Sequence, residues 1–180
     1  SVGDSISTSL FRDGSGAIGK VNNSSFGVTT LDLVTDNDVL NFEVGQVLAV
    51  CATKTGSTVR SGTVTVSKVN RTATANQVTM SGNLSAGISA IAQNDFVYVS
   101  GDYDGMITGL EGWLPATAPT SGDSFFGEDR SDDPTRLAGQ RYDGSSGTII
   151  EALIEGSALT AREGGKPDYC FVSFADFVNI

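Results

Sequence analysis

Between Gly27 and residue 100, apolar and polar side chains alternate with a period of two, the spacing of a strand with one buried face. GVTTLDLV sets Leu31 and Leu33 on one side and Thr30 and Asp32 on the other. VLNFEVGQVLAVCA turns at Gly45-Gln46 and continues as a strand, STVRSGTVTVSKV alternates through Val64 and Val66, and NQVTMSG and DFVYVSG follow the same rule. Clusters of Gly, Asn, Ser and Asp separate these runs. The pattern predicts five short strands in an antiparallel β module over residues 26–101, a small barrel or sandwich. Residues 1–25 read as an N-terminal arm or, at residues 4–11, a short helix, because one apolar pair (Leu10, Phe11) cannot fold alone.

The alternation stops at residue 101. Residues 102–147 hold three of the four prolines (Pro115, Pro119, Pro134), yet also Leu110, Trp113, Leu114, Phe125 and Phe126. A loop this long with its own aromatics is expected to pack on a partner. TIIEALIEGSALTARE then switches to a period of 3.6. Thr148 and Glu151 form a T-x-x-E capping box, Ile150, Leu153, Ile154, Ser157, Ala158 and Ala161 share the face expected to be buried, and Gly164-Gly165 ends the helix. Gly156 within it predicts a close neighbour. After Pro167, DYCFV predicts a strand and Ser173 with Asp176 the start of a further helix, so residues 148–180 read as helix, strand and helix start. A chain that stops there is expected to be a truncated piece of a longer one.

Charge sharpens this division. The net charge is −10, and residues 102–143 alone carry nine acids against three bases. That balance favours solubility and offers no cationic surface for gripping a DNA duplex. No apolar run reaches the ~18–20 residues of a membrane span. Cys51 and Cys170 each lie in an apolar run and are expected to be buried thiols rather than a disulfide framework.

Candidate chemistry is sparse. GSGAIG (Gly14, Gly16, Gly19) spells G-x-G-x-x-G, but a dinucleotide site needs a strand before it and a helix after it. Turn and strand signals follow instead, so a flexible loop is expected. GDYDG (Asp102, Asp104, Gly105) is half a calcium loop whose glycine comes too early, which favours a turn over a cation site. EDRSDDPTR sets Asp129, Asp132 and Asp133 beside Arg130 and Arg136, a solvated, internally paired loop or a charge patch between subunits. The chain has no histidine, which removes Ser–His and Cys–His nucleophiles and His-ligated zinc. Lys54 and Lys68 lie in the β module without a pocket signal. Sequons at Asn23, Asn70 and Asn83 matter only for a secreted protein. No catalytic, cofactor or metal site is expected. Trp113, Phe125 and Phe126, with Arg130 and Arg136 beside them, are expected either as anchors of a subunit contact or as cover over the bottom of one domain's own core.

Over residues 106–180, three pieces in order, GLEGWLP, FFGEDRSDDPTRLAGQRYDG and TIIEALIEGSALTAREGGKPDYCFVSFADFVNI, resemble the major capsid proteins of tailed bacteriophages with the HK97-like fold. In that family the strand often runs into Asn-Pro; here it runs into Ser173-Phe174. The β module looks like the inserted β-rich domains of some phage coat proteins. The resemblance implies an α+β chain: a small antiparallel β-barrel-like module, then a mixed helix/strand region of an HK97-like capsid subunit. It implies a structural virion protein, made in the bacterial host cytoplasm, that self-assembles into an icosahedral shell enclosing DNA. Its partners would be copies of itself and other virion proteins, with no sequence-specific nucleic-acid binding, no membrane, no cofactor and no enzymatic activity. Two rivals remain open: a secreted or surface β-rich module that binds a glycan or protein, and a hydrolase using Asp102, Asp104 or the Asp129–Asp133 cluster.

Overall fold

A computed structural model describes residues 12–56, 58–72, 75–172 and Phe177. The expected helix at residues 4–11 and the helix start at Ser173 and Asp176 lie outside the described residues. The chain divides into two compact units, Ser1–Gly112 and Trp113–Ile180.

In unit 1, β1 (Ala17–Lys20), β2 (Thr30–Asp32), β3 (Val47–Cys51), β4 (Val64–Thr72), β5 (Ala75–Met80) and β6 (Phe96–Val99) form a sheet ordered β1-β6-β3-β4-β5-β2. Every neighbouring pair is antiparallel. The two outermost strands then meet: Val21 bridges Leu33, the Asn22 amide donates to Asp32 O at 2.8 Å, and the Val34 amide donates to Lys20 O at 2.9 Å. The sheet is thus closed into a small barrel, which removes its exposed edges.

The interior holds Val21, Leu31, Leu33, Phe42, Leu48, Val50, Val66, Val78 and Val97 with their neighbours. A 3-10 turn at Asp36–Asn41 adds Val39, and a short helix, α1 (Leu84–Gly87), adds Leu84. The alternation survives an interruption in β4. The register slips between Val66 and Lys68, so Val69 comes back opposite Val78 and packs on the same interior as Val64 and Val66. A bulge re-phases the strand there; an odd spacing would otherwise turn Val69 outward.

Two strands are covered on both faces. Leu48, Ala49, Val50 and Cys51 of β3 are all buried, and Cys51 joins Ala17 and Tyr98 in a second, outer cluster with Tyr103 packed on it. The Tyr98 hydroxyl donates to Lys54 O at 2.8 Å, and burial pushes its phenol pKa up. Asp95, buried, receives Arg60 through two hydrogen bonds of 2.6 and 2.8 Å and the Ala92 amide at 2.8 Å.

Residues 12–20 depart from the expected arm and flexible loop. Ala17–Lys20 is a strand, so the G-x-G-x-x-G glycines lead into a sheet and no helix follows them. Gly16 has φ +83°, and a Cβ there would lie 2.2 Å from Asp102 O. The Gly109 amide donates to Arg12 O at 2.6 Å, and Lys54 bridges Asp13 (2.7 Å) and Glu111 (3.6 Å). These contacts fold residues 101–112 onto unit 1, so the stretch expected as one loop region, 102–147, is split between the units.

Unit 2 contains a hairpin, β7 (Ser124–Phe125) and β8 (Glu128–Asp129), and two helices, α3 (Pro134–Ala138) and α4 (Ile149–Arg162). The four-residue α2 (Leu110–Trp113) ends at its first residue. Helix α4 starts on the expected capping box: Glu151 accepts from the Thr148 amide at 2.8 Å, and Thr148 Oγ1 accepts from the Glu151 amide at 3.3 Å. It stops at Gly164, φ +86°.

Its burial reverses the expectation. Ile149, Ala152, Gly156, Leu159 and Thr160 are half-covered, while Ile150, Leu153, Ile154, Ser157, Ala158 and Ala161 are exposed. The cover comes from the helix's own flanks. Gly144 lies so close to Ala152 that a Cβ on it would approach Ala152 Cβ to 2.3 Å, Gly165 abuts Thr160, and Tyr142 donates to Glu155. Beyond the helix's own backbone, no atom of the described residues comes within 4 Å of where a Cβ on Gly156 would stand, so the close neighbour expected there is not found among them. The expected DYCFV strand does not form either: residues 168–172 have no regular structure and are exposed. A strand needs a paired neighbour, and none lies alongside it among the described residues. Cys170 is therefore exposed, against expectation, whereas Cys51 is buried.

Two outcomes test this fold. A small maleimide should modify one thiol of the native chain rapidly and the second only in denaturant, and Cys170→Ser should abolish the fast phase. Asp95→Ala should lower the urea-unfolding free energy of unit 1 by about 1–3 kcal/mol, since it leaves the Ala92 amide without its acceptor and Arg60 without its partner.

Candidate functional site

The hairpin sets the site. Ser124 pairs with Asp129 and Phe125 with Glu128, leaving Phe126-Gly127 as a two-residue turn. Both turn residues have positive φ, +53° and +91°. That is the sign pattern of a type I′ turn, where Asn-Gly is the preferred pair. A phenylalanine in the left-handed region costs about 1–2 kcal/mol.

What offsets that cost is aromatic contact. Phe126 stacks on Trp113 with ring centroids 5.3 Å apart and planes 19° from parallel. Phe125 meets Trp113 edge-on at 5.0 Å and Phe126 edge-on at 4.7 Å. Each such pair contributes about 0.5–1.5 kcal/mol beyond area burial. The cluster nonetheless stays in water: Trp113 is 51% and Phe126 76% exposed.

Around these rings lies a hollow of about 340 Å³, lined by Trp113, Leu114, Phe125, Phe126, Glu128, Arg130, Arg136, Leu137 and Gly139. All five residues singled out in the sequence, Trp113, Phe125, Phe126, Arg130 and Arg136, therefore meet at one place. Leu114, Glu128, Leu137 and Gly139 were not foreseen. Gly139 has φ +75° and lets Leu114 approach to 2.6 Å from where a Cβ would stand, a fit that no spacing rule reveals.

The two arginines differ. Arg130 is nearly buried, contacts Asp123 at 3.0 Å and lies 4.5 Å from the Phe125 ring centre, so it braces the hairpin. Arg136 is 86% exposed and reaches Asp133 at only 3.7 Å, so its guanidinium can accept another carboxylate.

The other acids of the segment close turns. Asp129 accepts from Ser131 Oγ (2.7 Å), the Gly122 amide (2.8 Å) and the Ser131 amide (2.9 Å), bonds that hold its pKa below the usual carboxylate range. Asp133 caps α3 by accepting from the Arg136 amide at 3.3 Å. In unit 1, Asp102 O accepts the Gly105 amide at 3.1 Å and Asp104 has φ +50°, so GDYDG is a turn. Among the described residues, no group of three carboxylate or thiol side chains converges as a metal ligand set. The sequon residue Asn23 is buried and spends its amide on Thr30 O and the Asp32 amide, both at 2.8 Å, which leaves no room for a glycan. No helix among the described residues is long and apolar enough to cross a membrane.

No protein-family model, curated protein or solved structure matches the chain.

Phe126→Asn should remove the backbone strain and the stack together. We expect unfolding stability to change by less than about 1 kcal/mol, because the two terms oppose, while Trp113 emission shifts to the red. A blue shift would show that Phe126 does not cover the indole.

Proposed function

We propose that the chain is a structural subunit that works by burying surface against copies of itself, of the kind that builds the capsids of tailed bacteriophages. The observation that carries this reading is the apolar exposure of unit 2. Trp113, Leu114 and Phe126 at the hollow stand in water beside one another, and Ile150, Leu153 and Ile154 stand in water along α4. Contiguous apolar surface of this kind marks an association site more often than an idle surface. The resemblance of residues 106–180 to HK97-like capsid subunits supplies the kind of assembly. The net charge of −10 suits a shell that encloses DNA without gripping it.

The hydrolase rival finds less support. Asp129 and Asp133 spend their carboxylates on local turn and cap hydrogen bonds, no three acids converge among the described residues, and the hollow is lined by aromatic, aliphatic and arginine side chains with one acid, Glu128.

Sedimentation of the full chain over a wide concentration range tests the reading, with electron microscopy of the heavy fractions for shells. Trp113→Ala should raise the midpoint concentration of association about thirtyfold, the effect of losing a ~2 kcal/mol anchor, with a smaller loss in unfolding free energy. A chain that stays single at every concentration would end the proposal; equal losses in association and folding would make Trp113 a core residue.

A further inference from the structure

We propose that the hollow of unit 2 receives residues 166–172 of a second copy, with Tyr169 as the anchor, in a head-to-tail contact. The inference rests on the self-association reading and specifies its partner surface.

Hollow and segment complement each other in three respects. The hollow offers aromatic faces: Trp113 and Phe126 are exposed and already stacked, so a further ring can add to a preformed pile. Tyr169 offers that ring. It is 87% exposed, more than any other large hydrophobic side chain among the described residues. Its phenol has an apolar body for the hollow and a hydroxyl tip for water.

Backbone form agrees as well. Residues 166–172 have no regular structure, and Pro167 biases Lys166 toward an extended conformation. Pro167 thus restricts the backbone just before the anchor, and a restricted segment loses less entropy when it docks.

Charge gives the third argument. Lys166 and Asp168 lie on either side of Pro167, next to the anchor, and both are exposed. The hollow's rim carries Glu128 and Arg136, one acid and one base, with Arg136 poorly engaged by Asp133. Each side thus presents one positive and one negative group, an arrangement that lets opposite signs meet between two copies that repel overall.

The occupant is another copy because the chain's own Tyr169 stands in water. A contact between two different patches leaves a vacant hollow at one end of every pair and a vacant segment at the other, so it can propagate into a ring or shell. A hollow-to-hollow contact would stop at a dimer. Seven residues bury less than the ~1,000 Å² of a stable interface, so the contact is weak singly and gains strength by repetition.

The test uses Trp113, the only tryptophan in the chain, as its reporter. A synthetic peptide of residues 166–172, with Ser for the cysteine, is titrated into the full chain carrying Tyr169→Ser, which leaves the hollows vacant. Expected is a saturable blue shift of Trp113 emission. Binding should weaken about tenfold or more, a loss of at least ~1.4 kcal/mol, when the peptide carries Tyr169→Ser. Arg136→Glu in the chain should weaken binding of the native peptide, and Asp168→Lys in the peptide should recover it. In a second arm, full chains with Phe126→Ser plus Arg136→Glu are mixed with full chains carrying Tyr169→Ser. Each alone should stay single, and the mixture should form one-to-one pairs and nothing larger, since each pair has one intact hollow and one intact segment. If the unaltered chain associates but the peptide leaves the emission unchanged and the mixture gives no pairs, the head-to-tail contact is wrong and self-association stands. If the unaltered chain never associates, both fall.

Discussion

Apolar side chains fixed in water are the constraint behind unit 2. An isolated helix of about 12–15 residues is marginal, and in proteins its stability comes mostly from packing one face. Helix α4 has 14 residues and a complete capping box, worth about 1 kcal/mol at the N-terminus. Yet the half-covered side carries Ile149, Ala152, Gly156, Leu159 and Thr160, while Ile150, Leu153 and Ile154 face outward. At roughly 25 cal/mol per Å², the exposed isoleucines and leucine of the outward face hold an unused driving force. Such a helix is poised for a cover supplied from elsewhere.

Unit 1 differs in how its backbone is closed. Its sheet closes through Val21 and Leu33, so the strand edges that most readily recruit another chain are paired. Its buried charge, Asp95, is paired with Arg60 and further held by the Ala92 amide. The outer face of β3 and β6, which would otherwise expose Cys51 and Tyr98, is closed over by residues pinned through Gly16 and the Lys54 ion triad. Strand addition at the barrel's edges is therefore closed off.

This contrast also explains what the sequence disclosed. The strands from residue 30 onward were legible because one buried face imposes a period of two, and the ends of α4 because Thr148, Glu151 and Gly164 are local signals. Strand β1 was hidden: it is four residues long, contains Gly19 and follows two glycines, so local chemistry reads as loop while pairing to β6 makes it strand. Periodicity showed which side of α4 is apolar but could not show whether anything covers it. DYCFV has the composition of a strand, but a strand is a pairing and not a property of one segment. The five residues that line the hollow stood out by type, since aromatics with arginine are unusual in a loop region. Their convergence did not, because it depends on a turn whose first residue, Phe126, disguises the usual Asn-Gly signature.

The acidity of residues 102–143 takes on a different meaning once the hydrogen bonds are seen. Asp129, Asp133 and Asp143 each accept from residues two or three positions on, and Asp123 holds Arg130. They are fixed as turn-formers, the use for which short acidic side chains are favoured in loops. Their charge remains nonetheless, and every copy carries it, so two copies repel at distances beyond about one Debye length, ~8–10 Å, only weakly, and within it strongly. A flat apolar contact between like-charged surfaces would pay that repulsion in full. A contact that sets an exposed Arg136 against an acid, and an exposed Glu128 against a base, avoids part of it and fixes the register of approach. Like-charged subunits that associate through local opposite-charge pairs stay dispersed when misaligned and adhere when aligned, which is the selectivity an ordered assembly requires.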